Sequence, residues 1–253
     1  MKKIKIAILG DSISEGIGKK KINYINSLQN ILGNNYDIKN FAHTGTTIYY
    51  ALDIVEEIKR YSPNIILVMY GNVDAQIRPN ISGNRYNIDK FIPKRYKNNG
   101  MLDPRPFYSS KWYRIVPDRI DNIFRLIIRK IIVKTQGVCQ WVNSKEFEEI
   151  YQKFLDNFNQ KDVKIFLVST IKLDEKNYPK CIEQYRLYNK IINNLCSKNN
   201  CCYIDLFNYV EDLLEVYEWN KIFYFDHYHP NIKGYELIAK LFSKHILEIQ
   251  DKW

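Results

Sequence analysis

The sequence predicts a three-layer α/β/α protein in which a central parallel sheet of about five strands lies between two layers of helices. Short apolar runs alternate with longer segments of helical spacing along most of the 253-residue chain. Most of the runs are nearly continuous in Val, Ile and Leu, as in strands that are buried on both faces. Glycines and a proline close several of these elements. We therefore expect a single domain over residues 1–253.

The first half of the chain predicts three strands and two helices. Two of the strands are continuous apolar runs that end at a glycine, and the third alternates apolar and polar residues. Both helices have apolar residues three or four positions apart, and a glycine or a proline ends them. In order, the elements are strand Lys3–Leu9, helix Ile22–Leu32, strand Tyr36–Ala42, helix Thr46–Tyr61 and strand Asn64–Tyr70.

The second half continues the alternation after a long interruption. Its strands are again short apolar runs, and its helices have amphipathic spacing. In order, the elements are helix Ser144–Gln160, strand Val163–Ser169, helix Ile182–Lys198, strand Cys201–Leu206 and helix Ile232–Ile249.

The interruption spans residues 73–143, and we predict that it is an insertion within the domain, serving as a lid or a surface subdomain. Its first half is rich in Pro, Asn, Gly and Tyr and predicts an ordered loop at the edge of the sheet. The part from Arg78 to Lys134 holds fourteen basic and four acidic residues, so it carries the whole net charge of +10. Such a segment attracts acidic glycans, phosphorylated carriers or anionic membranes. Since no nucleic-acid-binding motif accompanies the charge, we predict no nucleic-acid partner.

The second half of the insertion predicts a basic amphipathic helix over Pro117–Gln136, with the proline in its first turn and Gly137 after it. One interpretation is a helix packed on the domain with a solvated basic face. The other is peripheral membrane contact through residues 117–136. The apolar face holds Ile120, Phe124, Ile127, Ile128, Ile131 and Ile132, and the basic face holds Arg119, Arg125, Arg129, Lys130 and Lys134.

Several classes of protein are disfavoured by what the sequence lacks. The five cysteines are odd in number and include no C-x-x-C, which argues against a disulfide framework or a cysteine zinc site and favours a cytoplasmic protein. No apolar run reaches the ~18 residues of a membrane-spanning helix, and the N-terminal run is too short for a signal peptide. No phosphate-binding loop, dinucleotide fingerprint or metal-ligand spacing occurs, so we predict no cofactor and no metal.

Two short segments hold a candidate nucleophile and a candidate base. Ser12 directly follows the first predicted strand, at the sheet edge where ligands bind in folds of this class. A serine needs a base to act as a nucleophile. Near the C-terminus, Asp226 and His229 are three residues apart, which lets the carboxylate reach one imidazole nitrogen while the other faces the serine. His227 competes for the role of base, but it is adjacent to Asp226 and its side chain should point elsewhere.

These segments resemble the SGNH/GDSL hydrolase superfamily. Gly10-Asp11-Ser12 with Gly16 resembles its first block, Asn40–Gly45 its second, Gly71–Asp74 its third, and Asp226-x-x-His229-Pro230 its fifth. The resemblance covers about 60% of the chain and leaves out the basic insertion. It implies a flavodoxin-like fold and a triad of Ser12, His229 and Asp226. It also implies an oxyanion hole formed by the N–H groups of Ser12 and Gly45, and an esterase that needs no cofactor.

The third block departs from the family pattern, because Val73 stands where the family has an asparagine before Asp74. Either Asn72 donates to the oxyanion through a shifted turn or this donor is missing. Losing one such donor typically costs ~3–4 kcal/mol of transition-state stabilisation. The neighbouring polar side chains are candidates for substrate binding, and Gln76 or Arg78 could replace the donor. The candidate substrate-binding residues are Asp11, His43, Asp74, Gln76 and Arg78.

The leading interpretation is a serine esterase that cleaves short acyl esters, above all acetyl esters on a carbohydrate. Two enzymatic alternatives are an O-acyltransferase acting on a glycan and a lysophospholipid esterase. A further alternative is a catalytically impaired member that binds a glycan or a membrane. The expected partner in the leading case is a small-molecule or glycan ester.

Overall fold

The computed structural model describes residues 3–17, 21–81, 92–96, 102–104, 106, 111–158 and 163–250, and it confirms the predicted α/β fold. The strands are β1 (Ile4–Gly10), β2 (Tyr36–Asn40), β3 (Ile65–Met69), β4 (Arg78–Pro79), β5 (Val138–Cys139), β6 (Lys164–Val168) and β7 (Cys202–Ile204). The helices are α1 (Ser12–Glu15), α2 (Ile25–Leu32), α3 (Ile48–Asp53), α4 (Val55–Tyr61), α5 (Trp112–Gln136), α6 (Ser144–Asp156), α7 (Cys181–Lys198), α8 (Leu206–Val216), α9 (Trp219–Ile222) and α10 (Ile232–Gln250).

Five strands form one sheet in the order β2-β1-β3-β6-β7, and every neighbouring pair is parallel. The central strands are buried along nearly their whole length, which explains their continuous apolar sequence. Helix α2 packs against α10, while α6 packs between α3 and α7. Because all strands run in one direction, the loops after β1 and β3 meet at the same edge of the sheet.

Several predicted elements differ from the observed ones at their ends, and two of the differences have a local cause. The single helix predicted over Thr46–Tyr61 is two helices, α3 and α4, which are separated at Ile54. The break allows the adjacent side chains of Ile54 and Val55 both to be buried. The strand predicted over Cys201–Leu206 ends at Ile204, because the Asp205 side chain caps the N-terminus of α8 by accepting from the Asn208 N–H. Helices α8 and α9 were not predicted.

A two-stranded antiparallel sheet closes the base of the insertion. Arg78 pairs with Cys139 and Pro79 with Val138, so β4 and β5 bring the two ends of the segment together. The ordered loop predicted for the first half of the insertion falls mostly outside the described residues. The boundaries of the insertion and the single-domain organisation therefore stay predictions.

Helix α5 corrects the prediction for the second half of the insertion. It begins at Trp112, so Pro117 lies inside the helix rather than in its first turn. The interpretation of a helix packed on the domain with a solvated basic face is also wrong, whereas membrane contact through residues 117–136 stays a prediction. Arg125 and Arg129 are buried, whereas Ile120 and Phe124 are exposed. Among the described residues, we find no helix with the length and apolarity needed to span a bilayer.

The turn that carries Asp226 and His229 is held against the start of α10. Phe223 and Pro230 form an antiparallel β-bridge through their backbones. The Asn231 side chain caps α10 by accepting from the Gly234 N–H at 3.1 Å. Helix α9 approaches so closely that a Cβ on Gly234 would lie 2.1 Å from the carbonyl oxygen of Ile222. This contact requires glycine, because backbone atoms cannot give way as a flexible side chain can.

We expect Gly234→Ala to destabilise the protein by about 1–3 kcal/mol or more, although alanine favours a helix interior. The added methyl group would push α9 away from α10. Urea unfolding followed by circular dichroism measures the effect. Lys240→Ala, at an exposed position on the same helix, is the control and should change stability by no more than about 0.5 kcal/mol. Equal stability of Gly234→Ala and the control would contradict the close packing.

Candidate active site

Ser12 lies at the junction between β1 and α1, at the carboxyl edge of the sheet. Asp11 caps α1, and its Oδ1 accepts from the Ile13 N–H at 2.9 Å. A Cβ on Gly10 would lie 2.9 Å from the carbonyl oxygen of Met69, so only glycine allows β1 and β3 to approach here. Ser12 is 7% exposed, which leaves a small part of it open to solvent.

The C-terminal turn brings a histidine and a carboxylate to this serine. His229 Nε2 lies 2.8 Å from Ser12 Oγ, and His229 Nδ1 lies 2.6 Å from Asp226 Oδ2. Asp226 is completely buried. Its other oxygen accepts from the N–H groups of Tyr228 and His229 at 3.2 and 3.1 Å. The predicted trio is therefore brought together in the geometry of a serine–histidine–aspartate triad.

The competing base, His227, points away from the serine. Its φ of +52° reverses the chain between Asp226 and His229. Its Nδ1 lies 2.7 Å from Asp174 Oδ2, and its ring stacks on Trp219. This second histidine–aspartate pair holds the turn in place. No sequence pattern identified Asp174, which lies 53 residues away from its partner.

The loop that carries Gly45 is fixed next to the serine loop. The His43 N–H donates to the carbonyl oxygen of Gly10 at 3.1 Å, and the Thr44 N–H donates to Glu15 Oε2 at 2.6 Å. Gly45 has a φ of +76° and is exposed. The His43 side chain is 62% exposed and packs near the Tyr50 ring. Glu15 thus positions this loop, a role that the sequence did not reveal.

Asn72 does not face the site. It is fully buried, and its Oδ1 accepts from the Ile171 N–H at 2.8 Å. Its Nδ2 has no hydrogen-bond partner among the described residues, but it lies near Asp11, where it partly offsets the rise that burial causes in the pKa of that carboxyl. The shifted-turn alternative for the third block is therefore not what the structure has. Val73, at the family's asparagine position, offers no side-chain donor.

The remaining predicted binding residues are used within the fold. Asp74 is fully buried, and its two oxygens accept from the N–H groups of Ile48 and Gly71, both at 2.9 Å. Asp74 thereby joins α3 to the end of β3. These contacts leave Asp74 inaccessible to a substrate, and the same burial applies to Asp11.

Arg78 is also buried, and it belongs to a network that links the third block to the insertion. Its Nη1 donates to the carbonyl oxygen of Val73 at 2.7 Å, and its Nη2 donates to Gln76 Oε1. Its Nε donates to Asp103 at 3.2 Å, and its guanidinium lies 3.8 Å from the centre of the Trp141 ring. Gln76 and Arg78 therefore support the loop after β3, and the sequence did not identify Asp103 or Trp141.

Burial perturbs the two carboxyls beneath the serine. Desolvation raises the pKa of Asp11 to about 6, although the Ile13 N–H and nearby positive charges oppose the shift. Desolvation likewise raises the pKa of Asp74 to about 7, although the backbone N–H groups of Ile48, Gly71 and Asp74 itself oppose the shift. Among the described residues, we find no group of three or more His, Cys, Asp or Glu side chains arranged to hold a metal ion.

Comparison with known proteins agrees with this geometry. Residues 8–237 match the sequence profile of the GDSL-like lipase/acylhydrolase family. No curated protein sequence matches the chain.

Solved structures share the fold at low identity. One is the lipase/acylhydrolase from Enterococcus faecalis, which is 15% identical, with a TM-score of 0.60 over 96% of this chain and 95% of that one. Another is Axe2, an acetylxylan esterase from Geobacillus stearothermophilus, which is 14% identical, with a TM-score of 0.60 over 97% of this chain and 94% of that one. At these identities the likeness supports the fold rather than a substrate.

We predict that Asp11→Asn changes how stability depends on pH. The pKa of Asp11 is about 6 in the folded protein and 3.8 ordinarily. Between these pH values, Asp11 is therefore protonated in the folded wild type but not in the unfolded chain. Proton binding by folded Asp11 stabilises the wild type at low pH, and this contribution to the free energy of unfolding is lost as pH rises from about 4 to 7. Asparagine keeps the helix cap and has no charge to bury.

Relative to wild type, the variant should gain on the order of 2–3 kcal/mol between pH 4 and pH 7. Urea unfolding at several pH values across this window gives the difference. Asp118→Asn, at an exposed position on α5, serves as the control. If the difference in unfolding free energy between variant and wild type stayed constant with pH, the raised pKa of Asp11 would be contradicted.

Proposed function

The chain belongs to the GDSL-like lipase/acylhydrolase family, and on that premise we propose that Ser12, His229 and Asp226 are its catalytic triad and that it deacetylates carbohydrates. The observation that carries the proposal is the unbroken line of contacts from Asp226 through His229 to Ser12, at 2.6 and 2.8 Å.

The first half of the reaction forms an acyl-enzyme. Ser12 Oγ attacks the ester carbonyl carbon while His229 Nε2 accepts the hydroxyl proton. Asp226 holds the imidazole in the correct tautomer and stabilises the imidazolium. The backbone N–H groups of Ser12 and Gly45 stabilise the negative charge that develops on the carbonyl oxygen. His229 then returns the proton to the departing sugar oxygen as the carbon–oxygen bond breaks.

The second half releases the acyl group. Water attacks the acyl-serine carbonyl, His229 accepts a proton from that water, and the same oxyanion donors stabilise the second intermediate. Collapse of this intermediate breaks the bond to Ser12 Oγ, which recovers its proton from His229. The products are a carboxylic acid and the free enzyme, so no cofactor is needed.

The proposed substrate is a short acyl ester on a sugar. Axe2, which shares the fold, is an acetylxylan esterase. Exposed rings also border the triad loops: the His43 ring packs near Tyr50, and Phe225, 41% exposed, directly precedes Asp226. Flat rings offer apolar faces that can pack against the C–H face of a sugar.

The burial of Asn72 favours slow turnover. With Val73 in place of the family's asparagine, the oxyanion would be held by two backbone donors alone. The missing donor corresponds to a rate lower by about 100- to 1,000-fold than with a full set. The second candidate function is therefore glycan binding by a catalytically impaired member of the family.

Acyl transfer to a glycan shares the acyl-enzyme and differs only in the acceptor. A sugar hydroxyl would replace water in the second half of the reaction. Adding an acceptor oligosaccharide to the assay separates the two outcomes, since transfer yields an acylated acceptor and hydrolysis yields free acid.

We expect Ser12→Ala and His229→Ala each to lower kcat for acetyl-ester hydrolysis by at least about 1,000-fold, with Asp226→Asn lowering it by roughly 10,000-fold. Ser197→Ala and His245→Ala, which lie outside the site, are the matched controls and should retain wild-type rates. Circular dichroism and thermal unfolding check that each variant folds.

The same assay compares substrates. Acetylated xylo-oligosaccharides and p-nitrophenyl acetate should give a higher kcat/KM than p-nitrophenyl esters of long acyl chains. Preference for long chains would overturn the proposed substrate while leaving the triad intact. Unchanged hydrolysis in Ser12→Ala would overturn the triad itself.

A further inference from the structure

Helix α5 turns an apolar face away from the protein. Beyond the first turn of the helix, six of its large aliphatic and aromatic side chains are 48–57% exposed. At 100° per residue they fall within an arc of about 100°, and they extend over roughly 22 Å of the helix. We call this surface the outward stripe, and it consists of Val116, Ile120, Ile123, Phe124, Ile127 and Ile131.

The opposite face of α5 is anchored by charge. Arg129, which is 3% exposed, donates from Nη1 to Asp103 Oδ1 at 2.6 Å and from Nη2 to the carbonyl oxygen of Ile77 at 2.7 Å. Asp103 also accepts from Arg78 in the network beneath the third block. Rolling the helix to bury the outward stripe would break the partly buried Arg129–Asp103 ion pair and the hydrogen bond to Ile77. The stripe is therefore held outward by the fold.

Exposed cations border the outward stripe. On a helical projection, Arg119 and Lys130 lie along one edge, and Lys134 lies beyond its C-terminal end; all three are exposed. The N-terminal end carries Trp112 and Tyr113, which are 76% and 50% exposed and contact each other edge to face. Trp and Tyr are the residues that favour the boundary between lipid and water.

An apolar cleft adjoins the same edge of the helix. It has a volume of about 160 Å³ and lies between α5 and the segment before α7. Leu126, Val133 and Pro179 line it, and Lys130, Lys134 and Lys176 surround it. An apolar recess next to three ammonium groups suits a molecule that is apolar at one end and anionic at the other.

We propose that α5 is a membrane-docking surface that binds bilayers containing anionic phospholipids. The outward stripe enters the boundary between headgroups and acyl chains, while Arg119, Lys130 and Lys134 contact the anionic headgroups. Unlike a free amphipathic helix, α5 needs no folding on binding, because its polar face is already packed on the domain.

Charge favours a membrane over a second copy of the chain. Two copies joined through their outward stripes would bring Arg119, Lys130 and Lys134 of one near the same cations of the other. Anionic headgroups would neutralise this charge, whereas a second copy would double it. The proposal does not depend on catalysis, although α5 lies beside the triad loop, where the Arg119 guanidinium is 5.4 Å from the Phe225 ring centre.

Co-sedimentation of the full-length protein with vesicles tests the proposal. One set of vesicles is phosphatidylcholine alone, and the other is phosphatidylcholine mixed with phosphatidylglycerol. We expect clear binding to the anionic vesicles and much weaker binding to the neutral ones. Raising the salt concentration should weaken binding without abolishing it, because the apolar contribution is not screened.

Two sets of variants separate the apolar and the charged contributions. The apolar-face variant combines Ile123→Gln, Phe124→Gln and Ile127→Gln. It should bind vesicles about tenfold or more weakly than the wild type, because each substitution removes an exposed apolar group that would enter the bilayer. Ile31→Gln with Leu187→Gln and Leu247→Gln, at sites 41–44% exposed on other helices, are the matched control. Lys130→Gln with Lys134→Gln should weaken binding to anionic vesicles only, and Lys145→Gln with Lys244→Gln control for the loss of charge.

The oligomeric state, measured by light scattering, completes the test. We expect the wild type and the apolar-face variant to have the same mass in solution. A wild-type dimer that the apolar-face variant dissociates would overturn the proposal in favour of a second copy. Failure to bind anionic vesicles, or equal binding by the apolar-face variant and its control, would also overturn it.

Discussion

The pair of hydrogen bonds from Asp226 through His229 to Ser12 joins two loops that are far apart in the sequence. Ser12 follows the first strand, and His229 lies 217 residues later, just before the last helix. Both loops therefore have to be fixed to within a few tenths of an ångström. The parallel sheet supplies the frame, because its central strands end at one edge. The close approach of Gly10 to Met69 holds the serine loop, and the Asp174–His227 pair and the Gly234 contact hold the histidine turn.

A supporting layer of buried polar groups lies beneath the triad. Asp11 caps the serine helix, and Asp74 joins α3 to the end of β3. These carboxyls cost stability because burial opposes their ionisation, as their raised pKa values of about 6 and 7 show. They also accept hydrogen bonds from the buried backbone N–H groups of Ile13, Ile48 and Gly71. The same layer holds the Asn72 amide inside the protein, away from the oxyanion.

The local sequence predicted the strands, the helices and the three residues of the proposed triad, but not the residues that hold them in position. Strands and helices were predictable because apolar periodicity and terminal glycines act within a few residues. Ser12, Asp226 and His229 were predictable because each lies in a short motif at an element boundary. Asp103, Asp174 and Trp141 were not, since their partners lie far away in the sequence and leave no periodic signal. For α5, periodicity gave the helix but not the face that packs. Arg129 pairs with a half-buried carboxylate, Asp103, and donates to the carbonyl oxygen of Ile77 in the loop after β3, and the helical pattern alone contains neither partner.

The most direct test of the account is to locate an activated serine. The protein is treated with a fluorophosphonate, which reacts selectively with a serine whose hydroxyl is activated by a neighbouring base, and the adduct is mapped by peptide mass spectrometry. We predict one adduct, on Ser12, and its loss when His229→Ala removes the base from an otherwise folded protein. An adduct on another serine, or no adduct on the folded wild type, would contradict the claim that the Asp226–His229–Ser12 line of contacts makes a working nucleophile.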